Sequence, residues 1–253
     1  LDQIGAARNS GAAIFLHGPS GVGKTAIAET MSEVLASEDV WIPHAVEVDG
    51  QIIAVFDALV HQPAELPSDK PYDESWVRCS RPSVIVGGEL SIDMLDLQLN
   101  AGSRYYVAPV QMKANNGVLI IDDFGRQRSR PEELLNRWIV PLDRGIDFLT
   151  LTGGRKIEVP FEALVVFSTN MNPADLVDAA FLRRIQTKIR VDAASDAQFT
   201  EIFCRVAAEH RLAVAPDLLD EVIQDIRGRL HQELSGCQPR DLIHQICWTA
   251  RYR

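Results

Sequence analysis

Through about residue 190, short apolar runs alternate with amphipathic helical segments, which is typical of a parallel sheet covered by helices. Four of these runs have the length of buried strands: AAIFLH, PSVIVGG, GVLIID and ALVVFSTN, at residues 12–17, 82–88, 117–122 and 163–170. Behind the first run, apolar residues recur at helical spacing, at Ile27, Met31, Val34 and Leu35. The pattern predicts an α/β fold in which helices connect parallel strands.

Two segments alternate apolar and polar residues and interrupt this order. They lie at residues 46–57 and 147–160, and each is centred on a DG or GG pair that favours a tight turn. We interpret both as hairpin insertions. Between them, a helix is predicted from Pro131, because proline is favoured in a first turn and Leu134, Leu135 and Trp138 share one face.

A third hairpin is predicted at residues 95–110, where alternating leucines precede an NAG turn and Tyr105 and Tyr106 follow it. Adjacent strand residues face opposite sides, so one tyrosine ring is expected to be buried. Our hypothesis is that the other ring contacts a partner. The alternative is that both rings only pack within the domain.

Beyond residue 195 the strand signals end and the pattern is helical. Apolar stripes at helical spacing run along two segments, with members Leu218, Leu219, Val222, Ile223 and Ile226, then Leu242, Ile243, Ile246, Cys247 and Ala250. The sequence therefore predicts two domains, an α/β domain at residues 1–193 and a small all-helical lid at residues 194–253.

The bulk composition limits the classes of function. A net charge of −10 disfavours general coating of nucleic acid, which depends on basic side chains. The four cysteines include no CxxC pair, which disfavours a zinc site or disulfide framework and fits the reducing cytoplasm. No apolar run is long enough to span a membrane. We expect a cytoplasmic protein in which binding of nucleic acid is disfavoured but not excluded.

A phosphate-binding loop follows the first predicted strand and opens the first helix. The loop has the spacing of the P-loop, in which one glycine is followed by four residues and then by glycine, lysine and threonine. Glycines turn backbone N–H groups toward phosphates at a helix N-terminus, the lysine carries a positive charge to them, and the threonine hydroxyl can ligate Mg²⁺. We call this segment the phosphate loop; its members are Gly18, Pro19, Ser20, Gly21, Val22, Gly23, Lys24 and Thr25.

An acidic pair ends the predicted strand GVLIID. At such a position a carboxylate can hold Mg²⁺ beside a nucleotide, and a second carboxylate can polarise water. Asp122 is the candidate for the metal and Asp123 the candidate for the water. The alternative is that both aspartates only begin a turn before Gly125.

Together these motifs resemble the AAA+ ATPases, over nearly the whole chain. GPSGVGKT looks like Walker A and VLIIDDFG like Walker B. The resemblance implies a P-loop NTPase sheet sandwiched by helices, with ATP and Mg²⁺ as ligands. It also implies that Asn170, at the end of LVVFSTN, is sensor 1 and orients the hydrolytic water; turn chemistry is the alternative reading of NMNP.

Three arginines match positions at which this superfamily contacts phosphate. Arg183 and Arg184, in FLRRI, lie where the family places the arginine finger that reaches into a neighbouring subunit, and Arg184 is the first choice. Two cations at a helix end are the structural alternative. Arg240, in CQPRDL, looks like sensor 2, and the alternative for it is a pair with Asp241 or solvent.

The arrangement looks closest to MoxR-like and related branches, which carry a hairpin before sensor 1. Those branches have Asp-Glu in Walker B, whereas this chain has Asp122-Asp123 as in DnaA-like and DnaC-like ATPases. Slow hydrolysis is therefore expected. The resemblance implies a homo-oligomer, a hexameric ring or helical assembly, that remodels a protein client. One alternative is a nucleic-acid loader, favoured by DDFG and by the densest basic cluster, Arg126, Arg128 and Arg130, which could equally be a solvated loop. The other alternative is an ATP-gated switch with negligible turnover.

Overall fold

A computed structural model describes residues 13–35, 38–66, 71–176, 179–185 and 187–252 of the 253-residue chain. Two compact units divide the chain. The first comprises Leu1–His17 and Thr25–Ile189, and the second comprises Gly18–Lys24 and Arg190–Arg253. The sequence analysis places a domain boundary at 193/194, which stays a prediction.

The strands in these ranges are β1 (Ala13–His17), β2 (Asp39–Pro43), β3 (Ala45–Val48), β4 (Gln51–Ala54), β5 (Trp76–Ser80), β6 (Ser83–Val86), β7 (Gln98–Asn100), β8 (Tyr105–Val107), β9 (Val118–Ile121), β10 (Ile146–Thr150), β11 (Lys156–Pro160), β12 (Leu164–Thr169) and β13 (Thr187–Arg190). The helices are α1 (Lys24–Leu35), α2 (Val110–Lys113), α3 (Pro131–Arg144), α4 (Pro173–Leu176), α5 (Ala179–Leu182), α6 (Asp196–Glu209), α7 (Pro216–Gln224) and α8 (Gln238–Tyr252). A 3₁₀ turn occupies Ile92–Leu95, and a π-helix occupies Asp225–Arg229. None of the helices in the described ranges has the length and apolar character of a membrane span.

The central sheet has the strand order β13-β1-β12-β9-β6. The pairs β1–β12, β12–β9 and β9–β6 are parallel, as the alternation of apolar runs and helices predicts. β9 is buried along its whole length, which explains its continuous apolar sequence. Because the strands are parallel, the residues that follow β1, β9 and β12 emerge at the same edge of the sheet.

An aromatic cluster lies beneath that edge. Phe167 of β12 stacks on Phe15 of β1 at 5.7 Å between ring centroids, and it meets Phe124 edge-on at 5.2 Å. Trp138 of α3 lies 5.6 Å from the same ring. All four side chains are fully buried. The cluster therefore joins β1, the segment after β9 and α3 to β12 through close-packed rings.

The three predicted hairpins are present as β3–β4, β7–β8 and β10–β11. The first two are joined by a parallel pairing of β4 with β8, which produces a four-stranded sheet in the order β3-β4-β8-β7. Apolar residues of β10–β11 and of this four-stranded sheet pack together in one core cluster, which contains Ile53, Tyr106, Leu149 and Ile157. The insertions thus form one common layer.

A buried ion pair anchors β10 within this unit. Asp147 is 1% exposed and accepts hydrogen bonds from Arg137 of α3 and from Gln111 of α2. Arg137 and Gln111 also donate to the carbonyl of Leu95, at 3.1 and 2.8 Å. Both carboxylate oxygens and the carbonyl are therefore satisfied inside the protein, as a buried charge requires.

The two tyrosines of the β7–β8 hairpin differ. Tyr106 is 2% exposed, and its hydroxyl donates to Thr152 Oγ1 and accepts from the Thr152 amide at 2.7 Å. Tyr105 is half-buried. One ring is buried, as the strand geometry predicts, but the other is only partly accessible.

The second unit has its own helical core, as the sequence predicts for its C-terminal segment. Phe199 and Phe203 of α6 pack with Leu219 of α7 and Ile243 of α8. α6 begins with a capping box, in which the Ser195 hydroxyl accepts from the Gln198 amide and the Gln198 side chain accepts from the Ser195 amide.

Candidate functional site

The phosphate loop turns through three glycines with positive φ, Gly18, Gly21 and Gly23, at 150°, 79° and 99°. Such angles are readily reached only by glycine. A Cβ on Gly18 would lie 2.0 Å from the carbonyl oxygen of Val191, so a side chain there is excluded by backbone. The spacing of glycines in the sequence thus has a direct geometric cause.

Residues 235–237 support the loop within the second unit. The Cys237 amide donates to the Gly21 carbonyl at 3.0 Å, and a Cβ on Gly21 would lie 2.8 Å from Cys237 Sγ. α8 begins at the next residue, and Arg240 lies exposed in its first turn. The predicted sensor 2 arginine is therefore three residues from a direct contact with the phosphate loop.

Lys24 folds back onto the loop. Its ammonium group donates to the carbonyls of Gly18 and Pro19 at 3.0 and 2.7 Å, and the residue is only 8% exposed. Carbonyl partners keep the ammonium charge inside the loop instead of in bulk water. An anion that reached the loop would meet this charge together with the backbone N–H groups that glycines leave accessible.

Thr25 and Asp122 meet although they are far apart in sequence. The Thr25 hydroxyl donates to Asp122 Oδ2 at 2.9 Å. Asp122 Oδ1 accepts from the Asp123 amide, and the Asp122 amide donates to Val86 of β6. A hydroxyl and a carboxylate side by side are hard oxygen ligands, which fit Mg²⁺. These are the two residues that the sequence predicted to hold the metal.

Asp123 follows in a strained conformation. Its φ is 48°, in the left-handed region, and the residue is exposed. Aspartate is enriched there among non-glycine residues because its short polar side chain tolerates the geometry. This conformation gives a physical reason for a short polar side chain at this position.

Gln127 organises the turn at residues 122–127, which we call the acidic turn. Its side-chain NH₂ donates to the carbonyls of Asp122 and Asp123 at 2.9 and 3.2 Å, and its Oε1 accepts from the Gly125 amide. One amide side chain thereby fixes the backbone of both aspartates. The sequence analysis missed Gln127, since its role depends on a turn that no local pattern specifies.

Glu89 stabilises the neighbouring turn after β6. Its carboxylate accepts from the Gly87 amide at 2.9 Å. Hydrogen bonds from the backbone amides of Gly87 and Glu89 hold the pKa of Glu89 below its ordinary range, with a smaller contribution from the charge of Arg128. The charged form of this side chain is therefore part of the local structure near the acidic turn.

The end of β12 contacts the acidic turn through backbone and a hydroxyl. Thr169 is fully buried, and its hydroxyl donates to the Phe124 carbonyl at 2.7 Å, while the Phe124 amide donates to the Ser168 carbonyl. Asn170, the predicted sensor 1, comes next and is half-buried. Within the described ranges its side chain makes no hydrogen bond, so its amide is available to a ligand. Thr169 was not predicted.

The two candidate finger arginines occupy different environments. Arg184 Nε donates to Asp143 of α3 at 2.8 Å, within its own chain. Arg183 is exposed. The sequence analysis favours Arg184 as the finger, and the finger role of either arginine stays a prediction.

A groove of about 470 Å³ lies in the second unit. Its volume is within the usual range for small-molecule sites. Arg227 and His231 are among its polar residues, and Leu234 lines it one residue before Ser235, which lies next to Gly21. The groove therefore continues from the segment that supports the phosphate loop.

Comparisons with known proteins bear on the fold. Residues 195–253 match the model of a domain of unknown function, DUF8689. None of the curated protein sequences matches the chain. Two crystal structures of NtrX from Brucella abortus, in complex with ADP and with ATP, are similar in structure, each with a TM-score of 0.51.

Sequence identity to these structures is 14% and 15%. The similarity covers 86% and 87% of this chain but only 42% and 44% of the NtrX chains, so this chain spans less than half of their length. At this identity the similarity concerns the fold alone. Together with the sheet order it confirms the predicted P-loop NTPase-like α/β fold with C-terminal helices.

Proposed function

We propose that the chain is an AAA+ ATPase that binds ATP with Mg²⁺ and hydrolyses it to ADP and phosphate. The observation that carries the proposal is the contact between Thr25 and Asp122, which brings the end of the glycine-rich loop motif to the acid that ends β9. The NtrX structures, solved with ADP and ATP on a similar fold, support the same ligand.

In this proposal the phosphate loop holds the phosphates through backbone N–H groups, and Lys24 neutralises the terminal phosphates. Thr25 and Asp122 hold Mg²⁺, which supplies charge neutralisation to the phosphates when bound. The groove at Leu234 accommodates the base, because it adjoins the segment that contacts Gly21. Arg240 contacts phosphate from the first turn of α8.

Asp123 and Asn170 are the residues that we assign to activating and orienting the hydrolytic water. Asp123 accepts a proton of the water, Asn170 orients it, and the water oxygen forms a bond to the γ-phosphorus. The bond from that phosphorus to the bridging oxygen breaks, and ADP leaves with the electron pair. The exposed carboxylate of Asp123 and the available amide of Asn170 support these roles.

Arg183 or Arg184 completes the site of a neighbouring subunit in a homo-oligomer, a hexameric ring or helical assembly. The hairpin β10–β11, which directly precedes β12 and Asn170, supports placement among the hairpin-bearing AAA+ branches. Members of those branches remodel protein clients, and we assign the chain the same role. ATP hydrolysis would then require assembly.

Calorimetry of ATP binding tests the proposal with Lys24→Ala. Loss of the loop cation should abolish measurable affinity for ATP. The folded state should persist, because the ammonium group contacts loop carbonyls and not the apolar core. Lys156→Ala, an exposed lysine on β11, is the matched control and should bind normally. Unchanged affinity of a folded Lys24→Ala protein would contradict the assignment.

Mixing experiments test the subunit-bridging arginine. Arg183→Ala and Arg184→Ala are each mixed with Lys24→Ala, because one partner keeps an intact loop and the other keeps the finger. The variant that regains turnover identifies the finger. If co-assembled mixtures never regain turnover, the arginine does not act between subunits. Binding of a DNA oligomer that weakens steeply with salt would favour the loader alternative.

A further inference from the structure

A groove lined by aromatic side chains lies on the β2–β5 ribbon, in the first unit. The inner face of the ribbon is buried, with Ile42 and Cys79 in a core cluster. The outer face carries Trp41 and Trp76, which are 40% and 42% exposed. These two indoles are half of the tryptophans in the chain, and they lie on a face where a soluble ribbon ordinarily carries polar side chains.

The loop before β5 completes the groove. Tyr72 is 45% exposed, and its ring lies 6.1 Å from that of Trp41 with 29° between the planes. Trp41, Tyr72 and Trp76, with Pro71 and Asp73, line a volume of about 440 Å³. The rings are thus gathered around one concave space and not scattered singly, which distinguishes a binding surface from ordinary exposed apolar residues.

A fixed carboxylate lies in the groove. Asp73 Oδ1 accepts from the Ser75 amide and hydroxyl at 2.9 and 2.7 Å, and the Asp73 carbonyl accepts from the Trp76 amide at 3.0 Å. Those hydrogen bonds from Ser75 lower the pKa of Asp73, so the side chain is charged near neutral pH. Glu74 is exposed beside it.

The charge around the groove selects the class of ligand. Arg78, the cation opposite Trp41 on the ribbon, pairs with Asp39 at 2.8 Å and donates to the Glu65 carbonyl, so it is neutralised locally. Negative ring faces with an adjacent carboxylate attract a cation. Phosphates of a nucleic acid would meet Asp73 and Glu74, in a chain of net charge −10.

We propose that this aromatic groove binds an arginine or lysine side chain on an extended segment of a protein partner, with the cation over the rings of Trp41, Tyr72 and Trp76 and its charge paired with Asp73. A proline-rich segment would use the rings but would gain nothing from the carboxylate. The proposal does not depend on ATP binding, and its test contains no ATP.

The test titrates two pentapeptides into the 253-residue chain and follows the indole N–H resonances of the tryptophans. One peptide, Ac-Ala-Ala-Arg-Ala-Ala-NH₂, carries the cation, and the other replaces its arginine with citrulline, which is neutral and nearly isosteric. We expect both Trp41 and Trp76 to shift with the arginine peptide, with an affinity about five-fold or more above that for citrulline.

Variants locate the effect. Asp73→Asn keeps an oxygen acceptor for Ser75, so it should weaken the arginine peptide about five-fold and leave the citrulline peptide unchanged. Trp41→Leu and Trp76→Leu should weaken both peptides. Trp248→Leu removes a 65% exposed tryptophan of α8, outside the groove, and should change neither affinity. If the Trp41 or Trp76 variants fail to fold, Asp73→Asn alone decides the outcome.

Four results would overturn the proposal. The first is equal affinity for the arginine and citrulline peptides. The second is tighter binding of a cation-free proline-rich peptide, Ac-Ala-Pro-Pro-Ala-Pro-NH₂, and the third is a shift of the groove indoles by a single-stranded thymidine oligomer. Absence of any shift with the arginine peptide would likewise refute it.

Discussion

Three aspartates of the first unit, Asp147, Asp122 and Asp123, differ in burial and in the number of their internal hydrogen bonds. Asp147 is 1% exposed, and its two oxygens accept from Arg137, Gln111 and the Phe148 amide. Asp122 accepts one hydrogen bond on each oxygen and is partly accessible, and Asp123 is exposed on a backbone in the left-handed region. The residue type is the same, but the number of internal partners differs.

The difference is between carboxylates that are saturated inside the protein and carboxylates that keep accessible lone pairs. A carboxylate whose partners all lie inside the protein stabilises the fold only while every partner is present. A carboxylate with accessible lone pairs contributes little to folding but can take a metal, a proton or a cation. Each prediction below changes either a buried group with internal partners or an accessible group, and the predictions are given in order of decreasing expected effect.

Asp123→Asn should have the largest effect of these changes. It should lower ATP turnover and leave the stability of the fold unchanged. The amide cannot accept a proton from water, so ATP turnover should fall by about 10²- to 10⁴-fold while ATP affinity persists. Asparagine also tolerates the left-handed backbone, so the free energy of unfolding should stay within about 0.5 kcal/mol of wild type. Turnover and denaturant unfolding of the same preparation measure both, and wild-type turnover would show that another group handles the water.

Arg137→Met should destabilise the fold by about 3–5 kcal/mol, because it leaves the Asp147 charge buried without its cation. The double variant with Asp147→Leu should recover much of this loss, since it removes the uncompensated charge as well. Denaturant unfolding of both single variants and the double variant measures the coupling. Additive losses would show that the pair does not act as a unit.

Tyr106→Phe should cost about 0.5–1.5 kcal/mol, because two hydrogen bonds between the Tyr106 hydroxyl and the exposed residue Thr152 are lost. Tyr105→Phe is the matched control one residue away. We expect it to change the free energy of unfolding by less than about 0.5 kcal/mol. Similar losses in both variants would mean that the tyrosines do not differ as their hydrogen bonds indicate.

Local signals in the sequence account for much of the fold and part of the site. The phosphate loop, the acidic pair and the hairpins are each specified by residues that are close in sequence, so glycine spacing, apolar runs and turn dipeptides reveal them. Thr25 and Asp122 were both predicted as metal ligands through motif chemistry. Their side chains are joined by a hydrogen bond, and the metal role stays a prediction.

Features that arise from tertiary packing were not predictable. The β4–β8 pairing, the clamp of Gln127 on the acidic turn and the contact between Cys237 and Gly21 join residues with no pattern in common. The aromatic groove was missed because Trp41 and Trp76 are separated in sequence and become neighbours only through strand register. The ion pair of Arg184 with Asp143 likewise joins residues with no pattern in common.

His61 should make stability depend on pH. It is 1% exposed, its Nδ1 accepts from the Asp57 amide, and its Nε2 lies 2.9 Å from the Lys113 carbonyl, to which it donates. Burial, as the largest cause, lowers the pKa of His61 below its ordinary 6.5, against smaller opposing effects of the Lys113 carbonyl and Asp57. The folded state therefore binds fewer protons than the unfolded state near this pH.

The neutral form of His61 contributes to the free energy of unfolding above pH 6.5. This contribution is lost as the pH falls below that value, because the unfolded state then binds a proton more readily than the folded state. Asp57, whose pKa is lowered chiefly by its hydrogen bond from Lys113, acts only in a more acidic range, around and below 3.8. His61→Gln carries a donor and an acceptor but takes up no proton. Its free energy of unfolding should vary less between pH 7 and pH 5 than that of wild type, and an equal slope would contradict the assignment.

Asp143→Ala should have the smallest effect. Its ion pair with Arg184 is 41% and 32% exposed, and pairs in such positions contribute about 0.2–1 kcal/mol. Thermal or denaturant unfolding should therefore detect a change of less than about 1 kcal/mol. A loss as large as that of Arg137→Met would remove the distinction between saturated buried groups and accessible ones.

The position of β1 in the central sheet has a consequence for folding during synthesis. Ala13 of β1 pairs with Val165 of β12, about 150 residues later, so the strand before the phosphate loop cannot be hydrogen-bonded until most of the chain exists. At roughly 5–20 residues per second, translation of that interval takes about 8–30 s. During that interval β1, four of whose five residues are apolar, cannot form its native pairing with β12, so folding of the central sheet depends on slow, non-local nucleation.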